Sequence, residues 1–147
     1  MFNEKGELLT TLDTIPTRCT IVMDEALSGF HLANAIAVIA MTAGKRHPVL
    51  LGADLVDADA FPHPGLIPSG IPMLQAGQAS IHAIREQALA KGLDIVDFTE
   101  EGQMTKNFDE YLDMMSGIHT DDLHYLGIAI IGSKSAVGKL TKDCDMM

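Results

Sequence analysis

An α/β fold, with helices flanking a mixed or parallel sheet, is predicted by three observations. Arg18 to Met23 is a β-branched and apolar run bounded by Pro16 and the polar pair Asp24-Glu25, the pattern of a buried strand. It passes through a short acidic loop into a long helical pattern, Ser28 to Ala43. A second β-rich run, Tyr125 to Ile131, is followed by another short helical pattern. Alternating strands and helices place the helices on the faces of the sheet.

Residues 1–17 read as an N-terminal extension and Arg18–Met23 as the central strand. Ser28 can cap the first helix, and Gly44 is expected to stop it, with Lys45 and Arg46 beside its negative end. Ala, Ile, Val, Leu and Met surround this helix on every side, interrupted by the amide of Asn34. It is therefore expected to lie in the core, with Ala33, Ala37 and Ala40 permitting close approach to the sheet.

Five of the six prolines, with Gly52, Gly65 and Gly70, fall in residues 47–72, which read as a long loop holding one extended piece near Leu55 to Ala58. Met73–Gln75 is expected as a short strand. Ile81, Ile84, Ala88 and Leu89 give 79–91 the spacing of an amphipathic helix, ended by Gly92. Leu93–Phe98 reads as a strand and Asn107–Met115 as a helix. Thr120 reads as the cap of a short turn carrying Asp121 and Asp122. Gly132-Ser133 opens a last helix to about Leu140. With four predicted strands and no internal repeat, residues 1–147 form one domain with a single core.

Charge and composition exclude several classes. The net charge is −10, and between Asp94 and Asp122 nine acidic side chains face one basic one, Lys106. Nucleic-acid affinity rests on neutralising phosphates with Lys and Arg, so this balance argues against a nucleic-acid partner. The longest apolar run, Leu32 to Met41, falls short of the roughly 20 residues of a membrane span. The opening MFNEKGELLT lacks a basic-then-apolar leader, so a cytoplasmic location is expected. Cys19 and Cys144 read as free thiols.

Three blocks carry a family resemblance: the Gly29-x-x-x-Ala33-Asn34 helix start after the first strand, the strand ending Asp97-Phe98, and LGIAIIGSKSAVGKLT at 126–141. Together they resemble the type II peptidyl-tRNA hydrolase superfamily. Within it, DADAFPHPG (57–65), DFTEEGQ (97–103) and the YLGIAIIG strand are similar to an uncharacterised branch, domain of unknown function 2000. The resemblance implies a three-layer α/β/α fold with a small mixed, mainly parallel sheet of about four strands, and a homodimer. The active hydrolases carry a Gly-Lys pair at the helix start and a His one turn past the amide. Phe30 and Ala37 occupy those positions here, so the activity is not expected to follow the fold.

Asn34 is the first site candidate, because its amide both donates and accepts; His31 lies one turn earlier and Asp24 ends the preceding strand. The alternative is a structural amide that satisfies loop carbonyls. Asp97 and Thr99 would reach the same edge of a mainly parallel sheet, where ligands collect. Gly132-Ser133-Lys134-Ser135 is not a phosphate loop, since Ser133 separates the Gly from the Lys, yet the helix start there can receive a small anion. His119, Asp121, Asp122 and His124, or Asp54, Asp57, Asp59 and His63, do not match metal-ligand spacing, and neither metal nor cofactor is expected.

The functional expectation is a domain that binds a small molecule or partner through Asp24, His31, Asn34, Asp97, Thr99, Gly132 and Ser133. The competing one is an ester or amide hydrolase with His31 or Asp97 as general base and Asn34 or the Gly132 turn as oxyanion donor.

Overall fold

The computed structural model describes residues 15–147. Strand β1 (Arg18–Asp24) sits at the centre of a five-stranded sheet, with β4 (Met73–Ala76) and β7 (Asp145–Met146) on one side and β6 (Tyr125–Gly132) and β5 (Asp94–Thr99) on the other. β1 is central because it is apolar toward both faces. Cys19, Ile21 and Met23 enter one core with Ala129 and Ile131, whereas Val22 enters a second with Ile128 and Ile130. Helix α1 (Gly29–Arg46) covers the first core; α2 (Gln78–Ala90) and α5 (Lys134–Thr141) cover the second.

The sheet is mixed, not mainly parallel. Only β1 and β4 pair in parallel, while β1–β6, β5–β6 and β4–β7 are antiparallel. The sequence conceals this because β6 is buried on both faces, and such a run reads alike in either direction. β1, β4 and β5 still point the same way, so their carboxyl ends meet the start of β6 at one edge. β7, a two-residue strand on the edge of β4, raises the strand count above the predicted four.

α1 departs from expectation twice. It runs through Gly44 to Arg46 and ends where His47 precedes Pro48, since a residue before proline is pushed out of the helical region. Nor is it a core helix. Ala35, Ile39 and Ala43 make one buried face at i, i+4 and i+8, while on the rest Phe30 is 77% and Met41 83% exposed. Ser28 takes the cap position without a side-chain hydrogen bond. α2 ends as read: Gly92 is left-handed (φ +76°) and the Leu93 N–H returns to the Ala88 carbonyl at 2.9 Å, a Schellman closure.

The long loop is braced rather than irregular. β2 (Leu55–Val56) and β3 (Pro62–His63) form a small antiparallel ribbon. The Gly52 N–H donates to the Leu66 carbonyl at 2.8 Å and the Gly65 N–H to Asp54 Oδ1 at 3.0 Å. Asp57 accepts from the backbone of Asp59 and Phe61 and faces His63 Nε2 at 2.8 Å. Ile67 and Ile71 anchor the loop against the first core. Helix α3 (Glu100–Gln103), absent from the sequence reading, follows β5 directly, capped by Thr99. α4 (Phe108–Ser116) is capped by Asn107 and α5 by Ser133. His119, not Thr120, caps the turn Thr120–Asp122.

The crossing of the loop fixes its fold sharply. A Cβ at Gly65 would stand 1.9 Å from the Gly52 carbonyl oxygen, and backbone cannot yield as a side chain does. Gly65→Ala is therefore expected to cost about 1–3 kcal/mol and to open residues 52–72 to limited proteolysis while the sheet stays intact. Cleavage rates equal to wild type would show that the crossing is not needed.

Candidate functional site

A network of buried polar groups lies where β1, β4 and β5 end. Asp24 is only 7% exposed, and its carboxylate is saturated with donors. Oδ1 accepts the Ala26 N–H at 3.0 Å, and Oδ2 accepts Gln78 Nε2 at 2.8 Å and lies 3.0 Å from His124 Nε2. Gln78, the first residue of α2, also donates to the Tyr125 carbonyl at 2.6 Å and accepts the Tyr125 N–H at 3.1 Å. Its amide thus replaces the strand that β6 lacks there, after β1 has turned away.

Tyr125 stands at the centre of this edge with 0% exposure. His82 meets its ring edge-on at 4.7 Å between centroids, and the Arg85 guanidinium lies 5.4 Å from the ring centroid. Arg85 is held in turn by Asp97 at 3.0 Å. Burial pushes the Tyr125 phenol above its ordinary pKa, and the Arg85 charge partly offsets this, so the hydroxyl keeps its proton at neutral pH. That hydroxyl has no hydrogen-bond partner among the described residues; neither does buried Glu101 Oε2 or Gln103 Nε2 on α3. Glu101 reaches the edge through its other oxygen, 3.4 Å from the His124 N–H. α3 is held close by Gly102, where a Cβ would meet the Tyr111 ring at 2.8 Å and the Phe98 ring at 3.1 Å.

The residues expected to act together are divided by the fold. Asp24, Asp97 and Thr99 do reach one edge, but Asp24 and Asp97 turn toward α2. Thr99 is buried as the cap of α3 and faces Met115 Sδ at 3.5 Å. His31 and Asn34 belong to α1, which covers the other face of the sheet. His31 is exposed beside the Phe30 ring, and Asn34 is half-buried rather than a core amide. Gly132 and Ser133 lie at the far end of β6, seven residues or about 23 Å from Tyr125, so they cannot complete an oxyanion site beside Asp24 or Asp97. Gln78, His82, Arg85, Glu101, Gln103 and Tyr125 were not singled out from sequence. The signal available was the DFTEEGQ and YLGIAIIG segments, which hold three of them.

The far end has its own cluster. Arg46 grips Asp94 with two hydrogen bonds, 2.8 and 2.9 Å, and His47 Nε2 lies 2.5 Å from the same carboxylate. Ser133 Oγ accepts the Ala136 N–H at 3.2 Å.

The profile of the protein family of unknown function DUF2000 matches residues 17–147, and the chain belongs to that family. The fold is similar to the structure of Atu0240, a protein of unknown function from Agrobacterium tumefaciens strain C58. The TM-score is 0.80 with 17% identity, over 92% of this chain and 98% of that one. That likeness establishes the fold alone. No curated protein matches the chain.

Arg46, and after it His47, holds the Asp94 carboxyl below its ordinary pKa. A depressed carboxyl stabilises the fold above its unfolded pKa, near 3.9, and the contribution is lost as pH falls through the lower folded value. Urea midpoints measured from pH 5 down to pH 2 should show this acid loss in wild type and a shallower slope in Asp94→Asn; parallel curves would remove the ion pair from the stability of the fold.

Proposed function

We propose that this protein binds a small polar molecule at the edge where β1, β4 and β5 end, with the Tyr125 hydroxyl, Glu101 and Gln103 as its polar contacts. The observation that carries the reading is the set of three buried polar atoms without partners among the described residues. Each such group costs about 1–3 kcal/mol when unsatisfied, a cost that a ligand able to both donate and accept removes. Asp24, Gln78 and His124 form the rigid rim.

The wider reading places the chain with the type II peptidyl-tRNA hydrolase-like superfamily, as a three-layer α/β/α member; helices on both sheet faces support it. Ester or amide hydrolysis by His31 or Asp97 draws less support, because Asp97 is committed to Arg85 and His31 is exposed on α1. A cytoplasmic setting accords with two free thiols, of which Cys19 is pushed up to about 11 by burial. Nucleic acid is disfavoured by the charge of −10. We also propose a homodimer through the exposed apolar side of α1, where Phe30, Val38 and Met41 lie.

Two measurements test these statements. In the absence of ligand, Tyr125→Phe should hold or raise stability by about 1 kcal/mol, since it deletes an unsatisfied hydroxyl and keeps the ring. The thermal upshifts that small amides, amino acids and polyols give wild type should vanish in the variant. A destabilised Tyr125→Phe, an upshift that survives it, or a library without a single hit on wild type would overturn the reading. For the dimer, Met41→Glu should convert a dimeric light-scattering mass to a monomeric one; a wild-type monomer, or a variant that stays dimeric, would refute it.

A further inference from the structure

The ribbon of β2 and β3 is exposed, apolar and costly to the monomer. An isolated two-stranded ribbon is marginal in water at best, and both of its strands are exposed along their length. Antiparallel pairing puts Leu55 and His63 on one face. Phe61, two residues before His63, joins them there, its ring edge-on to the His63 ring at 5.4 Å between centroids. Leu55, Val56 and Phe61 are each more than half exposed. The tip adds a further cost, because Ala60 is held left-handed at φ +64°, a region that residues with a Cβ seldom enter. Asp57 nevertheless ties the tip together, and the Gly52 and Gly65 bonds fix the base. The ribbon is thus firmly shaped without being packed.

It rises beside the exposed face of α1. Leu51 and Ile67, at the base of the loop, line one small cavity with Ala40 and Gly44 of α1, so loop and helix share the side of the sheet that the first core occupies. The two differ in charge. Asp59 stands at the tip of the ribbon, whereas α1 ends in Lys45 and Arg46, one turn after exposed Met41. Arg46 is committed to Asp94, but Lys45 and Asp59 are exposed and form no ion pair among the described residues. Two copies of a chain with net charge −10 repel one another, unless their contact sets opposite charges together. An apolar arm with an acidic tip and an apolar helix with a basic end, on one side of one chain, are the two halves of an isologous contact.

We infer that the ribbon is the arm of the homodimer: across a two-fold axis, each copy lays Leu55 and Phe61 against the outer face of α1 in the other, with Asp59 beside Lys45 of the partner subunit. The inference rests on the α1 dimer proposed above and names what covers that face. Burial against a second copy takes the apolar side chains of arm and helix out of water together, which the monomer alone does not do.

Sedimentation equilibrium of the full chain measures the dimer Kd and tests the arm. Phe61→Ser should raise it by at least about a hundredfold, because each dimer loses two buried rings. Phe108→Ser, which removes a similarly exposed ring from α4, should leave it unchanged. Lys45→Glu and Asp59→Lys should each raise it about tenfold by setting like charges together at both contacts. An equimolar mixture of those two variants should restore the wild-type Kd, since every contact in the mixed dimer again pairs opposite charges. A Phe61→Ser chain that stays dimeric while Met41→Glu dissociates would remove the arm and leave the α1 contact standing. A mixture no tighter than its two components would also overturn the arm, and a monomeric wild type would overturn both readings.

Discussion

The backbone of Tyr125 is the point on which the arrangement depends. β6 is buried on both faces, so each of its amides and carbonyls must find a partner. β5 supplies them on one side; on the other β1 does so from Gly132 back to Gly127 and then turns away at Asp24. The Gln78 side chain takes over for Tyr125, accepting its N–H and donating to its carbonyl. The same amide holds the Asp24 carboxylate, so one residue sets where β1 ends, where β6 begins and how α2 starts. His82 and Arg85, one and two turns along α2, are positioned by that link.

The fold class was legible because two runs, Arg18–Met23 and Tyr125–Ile131, are apolar toward both faces and can only be central strands. Strand direction was not, for the same reason: a fully buried strand carries no face-dependent pattern. α1 misled in an instructive way. Phe30, Val38 and Met41 make its outer face as apolar as the face bearing Ala35, Ile39 and Ala43, so its buried side cannot be found from composition. Gly44 reads as a stop, yet it lies within the helix, and the true stop is the His47-Pro48 junction.

The candidate site was legible only at Asp24, Asp97 and Thr99, the residues that a strand-end argument reaches. Gln78 and Arg85 share one face of α2, but Glu101 and Tyr125 come from two other segments, so only the folded sheet brings the four together. His31 and Asn34 fell away for a geometric reason: residues that follow a strand closely in sequence can still be carried to the opposite face by the helix that holds them. Gly132 and Ser133 fell away because β6 runs against its neighbours, which puts its carboxyl end at the wrong edge.

Satisfied and unsatisfied polar groups stand close together at the Tyr125 edge. Asp24 has a donor for each oxygen and is held by three separate segments, which makes it a fastener of the fold. Asp97 and Arg85 neutralise one another beside the ring they flank. The Tyr125 hydroxyl, Glu101 and Gln103 contribute nothing comparable: Tyr125 would pack as well as Phe, and α3 is already fixed by the Thr99 cap and by Gly102 against Tyr111 and Phe98. Polar atoms kept in the interior at a cost, on a strand and a helix that do not need them to fold, are the groups that the proposed ligand would satisfy.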